Sequence, residues 1–183
     1  YTWSNGDTGA TTTLGQSDVG NAITVTATYT DGQGTAESVA SSATSAVANV
    51  NDSPTGAVTI TGTATEDQTL TAANTLADED VLGTITYTWS NGDTGATTTL
   101  GQSDVGNAIT VTATYTDGQG TAESVASSAT SAVANVNDSP TGAVTITGTA
   151  AEDQVLTASN SLADEDVLGA ITYTWSNGDT GAT

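Results

Sequence analysis

The stretch "AITVTATYTD" at residues 108–117 decides the fold class, because hydrophobic side chains occupy every second position in it. Ile109, Val111, Ala113 and Tyr115 fall on one side of an extended chain, and threonines fall on the other. This alternation predicts a half-buried β-strand. Four further stretches alternate in the same way, the last two more weakly: "ITYTWS" (85–90), "AVTITG" (57–62), "QTLTAANTL" (68–76) and "ESVASSATSAVANV" (123–136).

The sequence repeats itself with a period of 86 residues, since "YTWSNGDTGAT" occurs at 1–11, 87–97 and 173–183. The cluster "NVNDSP" has the composition of a linker and sets the boundaries. They divide the chain into three domains: the C-terminal part of a repeat (1–52), one complete repeat (53–138) and the N-terminal part of the next (139–183). A start at Tyr1 rather than at Met predicts an internal segment of a longer protein.

Short strands separated by Gly, Asn and Asp turns predict an all-β fold. We expect each 86-residue repeat to form an antiparallel Greek-key β-sandwich, with Trp89 in its core. The core is light, because the chain contains no Phe and no Met. A domain this small is marginally stable, and without cysteine it has no disulfide to reinforce it, which favours a structural metal.

All of the charged side chains are acidic: the chain has 21 Asp and Glu residues and no Lys, Arg or His. Such a chain repels nucleic acid and anionic lipid, and it contains no apolar run near the ~20 residues that a membrane helix needs. The absence of His, Cys, Lys and Arg also removes the usual catalytic bases, thiolates and oxyanion clamps, which argues against an enzyme and against a small-molecule substrate. The composition instead favours cations as partners.

The acidic residues recur in five loop motifs: "TEDQ" (65–68), "LADEDVLG" (76–83), "QSDVG" (102–106), "TDGQG" (116–120) and "VNDSP" (136–140). Carboxylate, amide and backbone oxygens are the ligands that Ca²⁺ prefers. The alternatives are a solvated acidic turn for "LADEDVLG", an exposed acidic pair for "TEDQ", and a plain linker with Asx turns for "VNDSP".

The order of "TEDQ", "ADEDVLGTITY", "SDVGNAITVTATYTDG" and "NVNDSP" resembles that of cadherin-like and Ig-like tandem repeats in giant secreted bacterial adhesins of the repeats-in-toxin type. The resemblance covers the whole 86-residue period and implies Ca²⁺ at the junctions between repeats. At the first junction it implies the ligands Asp18, Asn51, Asp52, Asp78, Asp80 and Asp117. At the second it implies Glu66, Asp104, Asn137, Asp138, Asp164 and Asp166.

Near-identity between copies favours a spacer in which every unit does the same mechanical work. The expected function is therefore an extender of an extracellular fibre or bacterial surface adhesin, in contact with neighbouring repeats and Ca²⁺. Two alternatives stay open: a module that binds sugar or ice through its loops or threonine faces, and a fibre subunit that exchanges strands with other copies.

Overall fold

The computed structural model describes residues 1–183, and the protein is all-β. It contains no α-helix, only two single-turn 3₁₀ helices, Gln16–Asp18 and Gln102–Asp104. The strands are β1 (Thr2–Trp3), β2 (Val25–Thr30), β3 (Ala36–Ala40), β4 (Val58–Thr61), β5 (Thr69–Asn74), β6 (Thr86–Trp89), β7 (Thr97–Thr99), β8 (Val111–Thr116), β9 (Ala122–Ala126), β10 (Val144–Thr147) and β11 (Thr157–Asn160). No helix has the length and hydropathy that a membrane crossing requires.

The strands form four small sheets, and every strand pair within them is antiparallel. The sheet orders are β1-β2-β3, β4-β5-β7, β6-β8-β9 and β10-β11. Two of these sheets, β4-β5-β7 and β6-β8-β9, lie within residues 53–138 and contact each other through β4 and β8. This arrangement is consistent with a β-sandwich.

The hydrophobic core lies between those two sheets and is built from the alternating side chains. Val111, Ala113 and Tyr115 of β8 are buried, as their spacing predicts, and Leu70 of β5 packs into the same cluster. Trp89 is buried there too, which confirms its predicted place in the core. Each fully buried aliphatic side chain contributes about 1.5–3 kcal/mol to the free energy of unfolding.

Two details differ from the sequence prediction, and both involve hydroxyl side chains. Strand β7 consists only of threonines and was not expected. The strand predicted over 123–136 ends early, since β9 covers Ala122–Ala126. Beyond it, the hydroxyls of Ser127 and Thr130 accept hydrogen bonds from backbone amides of the neighbouring strand segment (3.1 and 3.0 Å), and these bonds replace a regular ladder.

The flanking segments repeat the local pairing of the central one. Trp3 pairs with Val25 as Trp89 pairs with Val111, in the same antiparallel register. Several of their hydrophobic side chains are more exposed than in the central segment: Leu14 is 48% exposed, whereas Leu100 is 1% exposed.

Candidate metal centre at the repeat junction

Three carboxylates from separate segments meet at the second junction. Glu66 precedes β5, Asp138 lies in the linker, and Glu165 lies in the loop after β11. One side-chain oxygen of each lies within 4.8 Å of the others. We refer to these three residues as the acidic triad, and they could hold a metal ion.

Glu66 is held rigidly, because backbone and side-chain donors fix it inside the protein. Its side chain is only 2% exposed. Its amide donates to the carbonyl of Ala134 (2.9 Å), and its Oε2 accepts from the amide of Val136 (3.0 Å). With its amide nitrogen directed at this carboxylate, Gln102 donates to Oε1 at 2.6 Å. These donors fix the orientation of the Glu66 carboxylate.

Asp138 is positioned through its backbone, which leaves its carboxylate free. Its amide donates to Oδ2 of Asp166 (2.9 Å), and the amide of Asp166 donates in turn to Oδ1 of Asp164 (3.0 Å). Oδ2 of Asp138 is buried and has no hydrogen-bond partner. A buried acceptor without a donor is costly, so this oxygen is suited to a positively charged ligand.

The electrostatics of the triad also favour a cation. The chain has no Lys, Arg or His to pair with these three acids. Two carboxylates ~5 Å apart repel each other by about 3 kcal/mol at an effective dielectric of ~20. Ca²⁺ binds oxygens at about 2.3–2.6 Å, so the ligand oxygens of one ion lie within about 5 Å of one another. The spacing of the triad falls inside that limit.

At the first junction, Asp80 is fully buried and accepts only neutral donors. Its Oδ2 accepts from the amide of Asp52 (2.9 Å), and its Oδ1 accepts from Nε2 of Gln16 (2.8 Å), which lies across the junction. The contact between Asp52 and Asp80 has the same geometry as the contact between Asp138 and Asp166. The "ADED" loop therefore holds the preceding linker by its backbone at both junctions.

Asp78 and Asp117 flank a buried tyrosine. The hydroxyl of Tyr115 donates to Oδ2 of Asp78 (2.5 Å). Asp117 accepts the amides of Gln119 and Thr121 through Oδ1 (2.9 and 2.8 Å), and its Oδ2 is buried without a partner. Burial raises the pKa of Tyr115 well above its usual value, and the hydrogen bond to Asp78 and the charges of the nearby acids raise it further.

Most of the remaining expected ligands bond within their own segments. Asp18 and Asp104 each accept an amide hydrogen bond through Oδ2, from Gly15 and Gly101 (3.0 Å each), and so close the two 3₁₀ helices. Nδ2 of Asn51 donates to Glu123 of the next repeat (2.9 Å), and Nδ2 of Asn137 donates to the carbonyl of Asp138 (3.0 Å). Only Glu66 and Asp138 of the twelve expected ligands belong to the triad. The other ten stay a prediction.

Sequence reasoning missed Glu165 and Gln102. Glu165 is the middle residue of "DED", and its two neighbours bond to each other, since the amide of Asp166 donates to Oδ1 of Asp164. The middle side chain is longer than its neighbours and reaches the preceding repeat. Nothing in the sequence marks which of the three acids faces the preceding repeat.

Val81 and Val167 follow the "DED" acids and have φ values of 74° and 73°. A β-branched residue rarely adopts this left-handed conformation. Strain of this size persists only where surrounding contacts fix the loop. The loop is therefore held in one shape at both junctions.

No protein-family model, curated protein or solved structure matches the chain. The function has to be inferred from the residues themselves.

Proposed function

We propose that this chain is an extender: a run of β-sandwich repeats in a secreted bacterial adhesin or extracellular fibre, stiffened by Ca²⁺ at the junctions. In this proposal each repeat is a Greek-key domain of 86 residues, like those of the cadherin-like and Ig-like tandem arrays that the sequence resembles. The ion joins one repeat to the next and limits bending at the linker.

One observation carries the proposal: the triad draws its acids from both sides of a junction. Glu66 belongs to the central repeat, Asp138 to the linker, and Glu165 to the following repeat. An ion bound by all three would fix the angle between two domains. A solvated acidic turn would place its carboxylates apart, not within 4.8 Å of one another.

Calcium is the cation that this donor set favours. All the donors are oxygens, and no Cys or His is present to favour zinc or copper. Mg²⁺ prefers a tighter octahedron at about 2.0–2.1 Å and keeps most of its waters. The longer metal–oxygen distances and the variable coordination number of Ca²⁺ suit three carboxylates from separate segments.

A ligand surface for sugar or ice is the competing interpretation, because threonines cover the outer faces of the sheets. Many of these hydroxyls are already paired: Thr86 lies 2.9 Å from Thr114, and Thr69 lies 3.3 Å from Thr99, oxygen to oxygen. Hydroxyls that bond to each other have fewer free donors for a ligand. This pairing supports the spacer.

Titration with CaCl₂ after treatment with chelator tests the proposal. We expect saturable heat, and a melting temperature that rises with the concentration of Ca²⁺, because a ligand that binds only the folded state stabilises it. Glu165→Gln removes one charge from an exposed triad position and should weaken binding about tenfold or more. Glu37→Gln, an exposed change on β3 outside the triad, is the control and should change nothing. A melting temperature that does not change with the concentration of Ca²⁺ at low salt would contradict the proposal.

The stiffening is measured separately with spin labels at Thr61→Cys and Thr172→Cys, on either side of the junction. Both positions are exposed, and the chain has no cysteine of its own. Ca²⁺ should narrow the distribution of distances between the labels. An unchanged distribution would leave a bound ion without a mechanical role.

A further inference from the structure

The last segment of the complete repeat is paired in parallel, although every strand pair in the two sheets of that repeat is antiparallel. Residues 132–136, which we call the exit segment, lead directly into the linker. Ala134 of this segment pairs in parallel with Thr65. Thr65 lies in residues 63–66, which follow β4 and which we call the entry segment. The two segments therefore run side by side in the same direction.

Three hydrogen bonds join the entry and exit segments, and we call them the clamp. The amide of Ala134 donates to the carbonyl of Ala64, and its carbonyl accepts from the amide of Glu66 (2.9 Å each). The amide of Val136 donates to Oε2 of Glu66 (3.0 Å). The clamp thus combines two backbone bonds with one bond to a buried carboxylate.

The hydrophobic core supports the clamp from inside. Val133 is buried in the core cluster, and Ala64 packs against that cluster. On its other side, Val133 exchanges two backbone bonds with residues 106–107, accepting from Gly106 and donating to Asn107 (2.9 Å each). Hydrogen bonds beside an apolar core are stronger than those in water, because the local dielectric constant is lower. The exit segment is therefore held along both of its edges.

The direction of the two segments decides how they respond to tension. A pull on the two ends of the repeat draws the entry segment towards residue 53 and the exit segment towards residue 138. Because the segments are parallel, these opposite forces slide one segment lengthwise along the other. The bonds of the clamp run across that direction, so all three carry the load together. An antiparallel pair that is pulled apart at its open end instead breaks its bonds one after another.

We propose that the clamp is the contact that bears tension in each repeat, and that a cation in the acidic triad reinforces it. The first part concerns the resistance of a single repeat to unfolding, not the stiffness of the junction. The second part rests on the proposed function, because it requires an ion in the triad.

Glu66 belongs to both the clamp and the triad, and this is the reason to connect them. Its amide and its Oε2 make two of the three clamp bonds. Its carboxylate also lies within 4.8 Å of Asp138, which follows the exit segment by two residues. An ion bound to both acids would link the start of the repeat to its end, across the same contact that the clamp holds.

Force measurements on single molecules of the 183-residue chain test the clamp by comparing two pulling directions. Handles at Ser53→Cys and Ser139→Cys load the clamp lengthwise. Handles at Thr84→Cys and Thr116→Cys load the β6-β8 pair from its open end, next to the pairing of Thr86 with Thr114. The four handle positions are exposed, and the chain has no cysteine of its own.

In chelator, we expect the unfolding force in the first direction to be at least about 1.5-fold higher than in the second, because three bonds must break together. This comparison needs no change in the clamp itself. A force in the first direction that does not exceed the force in the second would overturn the proposal.

A proline variant tests which bonds carry the load. Ala134→Pro removes the amide that donates to Ala64, so the force in the first direction should fall by about a third. The force in the second direction should stay the same, which also shows that the variant still folds. Ala129→Pro is the matched control, since Ala129 is exposed and its amide makes no hydrogen bond, and it should change neither force. An equal fall in both directions for Ala134→Pro would contradict a role specific to the clamp.

Repeating the measurements in CaCl₂ separates the two proposals. Ca²⁺ should raise the force in the first direction by at least about a third, because the ion adds a fourth link to the three bonds, and should not raise the force in the second. Glu165→Gln should reduce that rise. A difference between the directions that Ca²⁺ does not change supports the clamp and contradicts its reinforcement. If calorimetry shows Ca²⁺ binding but the two directions give equal forces, the proposed function stands and the clamp fails.

Discussion

At the scale of single residues, Tyr115 connects the core to the acidic loop. Its ring packs in the core cluster, and its hydroxyl donates to Asp78. Both burial and the neighbouring acids favour the neutral phenol, so its pKa is raised in the folded state. A group of this kind links folding to alkaline pH.

We predict that the free energy of unfolding falls above pH ~10, the ordinary pKa of tyrosine. The raised folded-state pKa means that the stabilisation is complete below that pH and is lost as the pH rises towards the folded value, with a slope of at most about 1.4 kcal/mol per pH unit. Urea unfolding at several alkaline pH values measures this slope. Tyr115→Phe should remove the contribution of this residue. Tyr29→Phe, at the exposed counterpart position, should not, and equal slopes in the two variants would contradict the argument.

The acidic site was only partly predictable, because ligand geometry depends on which way each side chain leaves its loop. Glu66 and Asp138 were implied by the resemblance to cadherin-like repeats. Glu165 did not, since "DED" offers three carboxylates and only the folded loop decides which one faces the preceding repeat. Asp104 was also an expected ligand, but in the structure its carboxylate accepts the amide of Gly101 and closes a 3₁₀ helix.

At the scale of elements, identical sequences adopt different structures. Residues 97–99 form β7, which pairs with β5, but the same three threonines at 11–13 form no strand. Threonine favours strands only weakly, so the partner decides. The alternating strands β4, β6 and β8 were predictable because their burial pattern is local. Strand β7 was not predictable from its own sequence. It is extended because it pairs with β5, which lies 25 residues or more earlier in the chain.

This contrast predicts a matched pair of mutations within one chain. Leu100→Ala should lower the free energy of unfolding by about 2–5 kcal/mol, because it leaves a cavity in a packed core. Leu14→Ala, in the same local sequence, should cost less than about 1 kcal/mol, because Leu14 is 48% exposed. Urea unfolding followed by far-UV circular dichroism, which reports on both segments, measures both values. Equal losses would show that residues 1–52 have a closed core.

At the scale of the whole molecule, the net charge of −21 dominates, since no basic side chain offsets it. Repulsion among the carboxylates destabilises the folded form, and monovalent salt screens it. At ~1 M salt the screening length falls to ~3 Å.

We therefore predict that NaCl raises the melting temperature of the chelator-treated protein, and raises it much less when Ca²⁺ is saturating. Bound calcium would already neutralise the closest carboxylates, which leaves less repulsion to screen. Thermal unfolding along an NaCl series, in chelator and in CaCl₂, gives the comparison. Parallel curves in the two series would show that calcium and sodium act on the same diffuse charge, with no specific site.

The core-facing residues are identical in successive repeats, and this affects the order in which the domains must fold. A strand in one copy fits its counterpart in any other copy equally well, so the correct partner is distinguished only by when it is available. Synthesis at about 5–20 residues per second delivers one 86-residue period in roughly 4–17 s, whereas β-sandwiches fold within milliseconds to seconds. A growing chain can thus close each domain before the next competitor appears. A fully unfolded array released from denaturant has all its strands present at once, and its refolding should produce crossed domains that vectorial synthesis avoids.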